Sequence, residues 1–364
     1  MYLERLYIMN YRNVPLAEIM LSPGINCFVG DNGMGKTNIL DAIHYLSFCR
    51  SSLNPVDSQV MRHGSDCMML QGAYLMDNGE SAQVACSLRS GGRKSFSRDR
   101  KEYQRLSDHI GLVPMVWISP GDGELISGVS DGRRKFMDVV ISQHDRDYLG
   151  KLIDYNKALA QRNALLKSPA VPDSELIQMW ENLLCDSAAV IYKRRREFVD
   201  NIIPSFQQFY SLIGESGETV GLVYQSHCRE QHLADLLRQN REREHIVGHT
   251  LYGIHRDELE MTLGGYPIRR EGSQGQNKSY LIALKLAQYR YLAEACPGRR
   301  PLLLLDDLFD KLDANRVERI LEVVSGSGFG QIFITDVNRS HMDAMLSMTG
   351  NEYRVFNVVG GEVK

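Results

Sequence analysis

Residues 30–37, Gly30-Asp31-Asn32-Gly33-Met34-Gly35-Lys36-Thr37, read G-x-x-x-x-G-K-T, and that spacing fits few folds. Glycines let backbone N–H groups turn inward and crowd an anion where a Cβ would block the approach. Lys36 is then placed to reach the β- and γ-phosphates of a nucleotide such as ATP, and the Thr37 hydroxyl to ligate Mg²⁺. The alternative is a glycine-rich turn that merely contains a lysine, and the flanks argue against it. Ile25-Asn26-Cys27-Phe28-Val29 is a short, mostly apolar stretch bounded by Pro23-Gly24, which predicts a strand. Ile39, Ile43 and Leu46 recur at helical spacing after the loop, so Lys36 and Thr37 open a helix whose N-terminus faces the anion.

A nucleotide site of this kind needs a second half, an acid at the end of a buried strand. Pro301-Leu302-Leu303-Leu304-Leu305-Asp306-Asp307 supplies it: a continuous apolar run reads as a strand buried on both faces. Asp306 is expected to hold the Mg²⁺ that Thr37 also touches, and Asp307 to orient or deprotonate the attacking water. About 270 residues lie between Lys36 and Asp306, so a long insertion divides the nucleotide-binding lobe. Inside it, Ser273-Gln274-Gly275-Gln276 opens a segment with Leu281, Leu284 and Ala287, read as an amphipathic helix. Serine at a helix start can be an ordinary cap, or can join hydroxyl, backbone N–H and helix dipole into an anion site. In the order of loop, S-x-G-Q and strand acid, it matches the signature of ABC-type ATPases, where Ser273, Gly275 and Gln276 would complete the site of a partner copy. Asp310-Lys311-Leu312-Asp313 then falls where such proteins keep the loop along the dimer seam.

The rest of the chain reads as two kinds of structure. Residues 1–118 are β-rich, with strands expected at Leu3–Tyr11, Met68–Leu75, Ser81–Leu88 and Val113–Ile118. Residues 300–364 complete that nucleotide-binding lobe, with Gln331–Thr335 as the last core strand. Residues 119–299 hold a helical arm and the signature lobe. Leu152, Tyr155, Leu159 and Leu166 mark one arm helix, and Leu176, Trp180, Ala188 and Ile191 a second, across Pro169 and Pro172. Arms of about 25 residues would span on the order of 37 Å.

Charge gives no global support for a nucleic-acid partner, since the formal net charge is −3. Local basic runs must supply it. Arg89–Arg105 reads equally as a solvated hairpin tip or a phosphate-contacting surface; Lys193-Arg194-Arg195-Arg196 reads first as a solvated basic face, with contact to DNA phosphates as the alternative; Arg133-Arg134-Lys135 is a further DNA-contacting candidate. No base-reading motif is present, so contacts to phosphates are expected. The seven cysteines stand singly, without a C-x-x-C pair, which argues against a zinc site or disulfide framework and suits a reducing cytoplasm. Met1–Leu6 reads as a strand and not a signal peptide, and no apolar run reaches the roughly 18 residues of a membrane span.

Taken together, the motifs resemble those of the RecF family, bacterial recombination mediators with an ABC/SMC-like head. The residues that carry the likeness are Asn10-Tyr11-Arg12-Asn13, Gly30–Thr37, Gly132–Asp138, the arm stretch Tyr155–Asn163, Gly253–Leu259 and Ser273–Gln276. Three departures stand out. The class has glutamate where this chain has Asp307, which fits slow hydrolysis. Thr335-Asp336 stands where a switch histidine is expected, and no inter-lobe glutamine is evident near Trp117–Asp122. The resemblance implies an α/β fold: a two-lobed ABC-type P-loop ATPase head with an inserted helical arm. It also implies ATP-dependent homodimerisation on DNA, a weak DNA-stimulated ATPase, and cooperation with RecO and RecR in loading RecA at gaps during repair, replication and the SOS response. An SMC-like ATP-switched clamp and a transporter subunit are the competing readings. The transporter is disfavoured by the long gap and by S-Q-G-Q in place of L-S-G-G-Q.

Overall fold

In a computed structural model, residues 1–168, 173–214, 217–229, 232–308, 314–326, 328–337 and 352–364 are described. Three strands, β1 (Tyr2–Tyr11), β2 (Val14–Met20) and β3 (Ile25–Val29), lead into helix α1 (Lys36–Phe48). Then come β4 (Cys67–Leu75), β5 (Ser81–Arg89), β6 (Ser95–Arg98), β7 (Lys101–Glu102) and β8 (Met115–Ile118). The helical stretch holds α2 (Glu124–Ser127), α3 (Ser130–Ser142), α4 (Arg146–Leu166) and α5 (Ser174–Ile213). It is followed by β9 (Val220–Gln225), α6 (Leu233–Val247), β10 (Glu258–Leu263), β11 (Tyr266–Pro267) and α7 (Ile268–Glu271). Helix α8 (Gln274–Ala295) returns to β12 (Leu302–Leu305), α9 (Ala314–Ser325), β13 (Ile332–Asp336), β14 (Tyr353–Val359) and β15 (Glu362–Val363).

The chain gathers into two compact units, Met1–Asp122 with Leu284–Lys364, and Gly123–Ala283. The first holds two six-stranded sheets, one in the order β2-β1-β4-β5-β6-β7 and one in the order β15-β14-β3-β13-β12-β8. The first sheet is antiparallel, with alternating burial along β4 and β5 that puts one face on the core. In the second, β14, β3, β13, β12 and β8 run parallel, and β3, β8, β12 and β13 are buried at every residue. Side chains of both sheets share one core with α1, whose Ile39, Leu40, Ile43 and Leu46 are wholly buried there. Loops leaving the carboxyl edge of a parallel sheet are the usual place for a ligand. Here those loops follow β3, β12 and β13.

The second unit pairs β9, β10 and β11 in a small antiparallel sheet. Around it pack α3–α6, with two fully buried arginines among them. Arg195 donates to Asp138 and Asp257 at 2.9 Å each and to the Ile254 carbonyl at 2.9 Å. Arg162 sits between Glu181 and Glu244, at 2.8 and 2.7 Å, and donates to the Thr250 hydroxyl.

Several expectations need correction. The second arm helix is 40 residues and not about 25. It runs through Pro204, whose local cost of about 3 kcal/mol is offset by an apolar face that continues on both sides, Phe198 and Ile202 before it and Phe206 and Phe209 after. Gln331–Thr335 is not the last core strand, because β14 follows and pairs with β3. The sequence of β14, Y-R-V-F-N-V-V, is interrupted by Arg354 and Asn357 and lacks the continuous apolar signature of β12. Helix α8 is not amphipathic: every residue from Ser279 to Tyr289 is buried. Residues 233–247, largely polar, also form a helix, α6, seated by Leu233, Leu236 and Leu237. Within the run 193–196, Arg195 is an interior strut and no part of a solvated face.

Candidate functional site

Strand β3 delivers the loop at 30–37 to the carboxyl edge of the parallel sheet, and α1 begins at Lys36. Two of its glycines are required by their surroundings. A Cβ on Gly30 would lie 2.2 Å from the Val358 carbonyl of β14. Gly35 has φ +110°, and a Cβ there would meet the Asn13 side chain. Asn13, from the turn between β1 and β2, is the loop's outer brace. Its amide donates to the Met34 carbonyl at 3.1 Å, and its oxygen accepts from Asn38 on α1 at 2.7 Å. The C-terminal turn also contributes, through the Gly361 N–H donating to the same Met34 carbonyl.

Lys36 is buried and donates to two neutral acceptors of its own loop, the Gly30 carbonyl at 2.6 Å and the Asp31 carbonyl at 3.1 Å. No carboxylate is paired with this ammonium among the described residues, a state suited to an incoming anion. Thr37 Oγ1 donates to Asp306 Oδ1 at 3.0 Å across 269 residues of chain. Asp306 directly follows β12, next to β13, and from β13 Thr335 donates to the same Oδ1 at 2.8 Å. The Thr335 hydroxyl also accepts the Asp307 N–H at 2.9 Å. Asp307 has φ +44°, in the left-handed region, where a non-glycine residue costs of order 1–3 kcal/mol. Burial pushes the Asp306 carboxyl up to about 6, against the Thr335 and Thr37 hydroxyls and Lys36, while neighbouring Asp307 adds to the rise.

Sequence reasoning assigned no role to Thr335 or Lys285 and named Asn13 only as part of a motif. Thr335 stands where a histidine was looked for, and its hydroxyl has the two bonds just described. Lys285 donates to the Trp117 carbonyl at 2.9 Å and pairs with Asp122 at 2.7 Å, so the segment after β8 is held by an ammonium where a glutamine was sought. Only the polar Thr335-Asp336 closing the apolar run of Q-I-F-I-T-D could have pointed to Thr335. Nothing local marks Lys285.

Hydroxyl and carboxylate oxygens are the donors that Mg²⁺ takes. Among the described residues no group of three or more His, Cys, Asp or Glu could hold a metal by itself. A cation between Thr37 and Asp306 would therefore draw its remaining ligands from phosphates and water, as Mg²⁺ does. The oxygens present fit that ion.

In the second unit, Ser273 caps α8. Its hydroxyl accepts the Gln276 N–H at 3.2 Å, and its own N–H donates to Gln276 Oε1 at 2.7 Å, a reciprocal capping box. Gln276 also donates to Glu218. Ser273 is exposed and Gly275 half-buried. Asp310–Asp313 lie outside the described residues. Of the basic candidates, Arg133 is buried and bonded twice to Glu258, at 2.6 and 2.9 Å, which removes it as a free phosphate contact. Arg134 donates to the Asp257 carbonyl, whereas Lys135 is exposed.

Residues 2–361 match the family model described as the RecF/RecN/SMC N terminal domain. The chain is 54% identical over 363 residues to the DNA replication and repair protein RecF of Phocaeicola vulgatus, covering all of this chain and 98% of that one. It is 53% identical to the protein of the same description from Bacteroides thetaiotaomicron, again covering 100% and 98%. Among solved structures it is similar to the recombination mediator protein RecF with ATP, of the RecFOR pathway (27% identity, TM-score 0.89, covering 100% and 97%). The Smc head domain of Pyrococcus furiosus shares the fold at 17% identity, with TM-score 0.61 and coverage of 100% and 95%.

Proposed function

Because the chain belongs to the RecF family of DNA replication and repair proteins, we propose that it is an ATP-switched recombination mediator. ATP binding closes a homodimer on DNA, slow DNA-stimulated hydrolysis reopens it, and the closed form works with RecO and RecR to load RecA at gaps in repair, replication and the SOS response. The supporting observation is the 3.0 Å bond from Thr37 to Asp306, which joins the two halves of a nucleotide site from opposite ends of the chain.

In this reading the backbone of Gly30, Asp31, Asn32, Gly33, Met34 and Gly35 cradles the phosphates. Lys36 exchanges its two carbonyl partners for phosphate oxygens. Thr37 and Asp306 would hold Mg²⁺, whose charge would offset that of the phosphates. Asp307, set at left-handed φ by the Thr335 hydroxyl, positions water. Ser273, Gly275 and Gln276 present a capped helix start to the nucleotide of a second copy.

Phosphate release with and without DNA tests the reading. The wild type is expected to turn over slowly and faster with DNA. Lys36→Ala should lose nucleotide binding, and Asp307→Asn should keep ATP while slowing its turnover. Unchanged turnover in Asp307→Asn would remove that residue from the reaction. Mass in solution tests the dimer. Ser273→Arg should bind ATP yet stay monomeric, and a mixture with Lys36→Ala should regain part of the activity through one intact composite site. An ATP-dependent dimer of Ser273→Arg would return Ser273 to a plain helix cap.

A further inference from the structure

Away from the nucleotide loop, the first unit has a cleft of about 1090 Å³ between the segment after α1 and the turn joining β5 to β6. That lies at the upper edge of small-ligand pockets, roughly 300–1000 Å³, and suits a stretch of polymer. Its lining includes Arg62, Arg89, Arg93 and Lys94 against one carboxylate, Asp57. Two of the four cations are committed within the fold. Lys94 pairs with Asp57 at 2.8 Å and donates to the Cys49 carbonyl at 2.7 Å, and Arg62 donates to the Asn13 carbonyl at 2.8 Å. Arg89 and Arg93 are exposed and have no side-chain partner among the described residues. They flank Gly91 and Gly92, whose bare backbone allows close approach.

Those features select the occupant. Guanidinium groups bind phosphate oxygens in bidentate fashion. Among the described residues lining the cleft there is no Phe, Tyr or Trp, the anchors on which protein partners usually depend. A sequence-neutral contact to phosphates needs none.

One wall of the cleft also leads to the nucleotide loop, and the other to the far end of α1, the helix that the loop opens. On one side Arg62 holds the Asn13 carbonyl, and Asn13 braces Met34 and Asn38. On the other, Asp57, the partner of Lys94, accepts the hydroxyl of Tyr45 on α1 at 2.6 Å, and Lys94 itself binds the carbonyl of Cys49 at the end of that helix. We propose that this cleft binds the phosphodiester backbone of nucleic acid, through Arg89 and Arg93, and that its walls transmit occupancy to the loop at 30–37. The inference rests on the function proposed above and gives the DNA contact a place and a route to the ATP site.

The test is duplex binding by the full-length protein as a function of salt, with R89E/R93E and, should charge reversal not fold, R89Q/R93Q. Melting temperature checks folding. Loss of two phosphate contacts should weaken binding on the order of tenfold or more and lower the slope of log K against log salt by about 2, at 0.9 per phosphate. If the wild type binds DNA and the variants bind it with equal affinity and slope, the cleft is overturned and the proposed function stands. If the wild type binds no DNA, the proposed function itself fails. Should the variants lose binding to poly-glutamate and keep DNA, the cleft is a protein-docking site and the proposal is wrong. DNA and nucleotide must change each other's affinity by the same factor. That factor should approach 1 in the variants, and a wild-type factor of 1 would overturn the transmission.

Discussion

Arg195 and Arg93 both belong to basic runs, Lys193–Arg196 and the Arg89–Lys94 turn, yet they do opposite things. Arg195 is 1% exposed and satisfies two carboxylates and a carbonyl inside the arm unit. Arg93 stands exposed at a glycine turn. Arg133 repeats the first case through Glu258, and Arg89 the second. A charge run therefore says little about partners until the carboxylates around it are counted. In the arm those carboxylates, Asp138, Glu181, Glu244, Asp257 and Glu258, come from distant points in the chain.

Removing an interior strut should produce the largest effect. Arg195→Met keeps much of the volume but leaves Asp138 and Asp257 without their common cation, which costs about 3–5 kcal/mol when one partner of a buried pair is removed. Chemical denaturation should show the loss in stability. A loss below about 1 kcal/mol would erase the contrast, since Arg195 would then behave like a surface residue.

Acidification separates the struts from a neighbour that titrates. Burial lowers His255 to about 4 while its Nδ1 is bonded to the Tyr155 hydroxyl. The folded value lies below the ordinary 6.5, so the unfolded chain binds more protons between them. Stability contributed by neutral His255 is thus present above pH 6.5 and lost as pH falls toward 4, by up to about 3 kcal/mol at 1.36 per unit. Glu258, held at about 2 first by its hydrogen bonds from Arg133, stays charged across that window. His44 and His109, also lowered to about 4 by burial, add the same trend in the other unit. Burial raises Asp257 and works the other way, so the readout is the difference between the wild type and His255→Gln. The variant's pH slope between 6.5 and 4 should be shallower, and an equal slope would clear His255.

The sequence made the parallel sheet legible because β3, β12 and β13 are buried on both faces and show it as mostly apolar runs, unbroken in β12. It did not reveal β14, whose Arg354 and Asn357 interrupt the pattern at the edge of the buried sheet. Nor did it reveal the full length of α5, since a proline is judged locally while packing on both its sides decides. At the candidate site, the loop and the acids of β12 announced themselves by type and spacing. Thr335 and Asn13 did not, because their roles come from register. Strand β13 sits between β3 and β12, which brings one hydroxyl to Asp306, and the turn after β1 happens to close over Met34.

The smallest effect gives the contrast its sharpest form, because it lies two residues from the largest. Lys193 is on the same helix as Arg195, but its side chain is 64% exposed and its ion pair to Glu197 is 4.0 Å long at i,i+4 spacing. Exposed pairs of this kind contribute about 0.3–0.5 kcal/mol, since solvent screens the attraction and ordering two long side chains offsets it. Lys193→Gln keeps the helical propensity and much of the stem, so stability should change by less than about 0.5 kcal/mol. Denaturation midpoints of Lys193→Gln and Arg195→Met, measured side by side, then differ by nearly the whole value of the buried network. Helix phase sets that difference: moving two positions along α5 turns a side chain by about 200° at 3.6 residues per turn, from solvent to Asp138 and Asp257. Equal losses in the two variants would mean that the run acts as one charged surface, and that Arg195 is no strut.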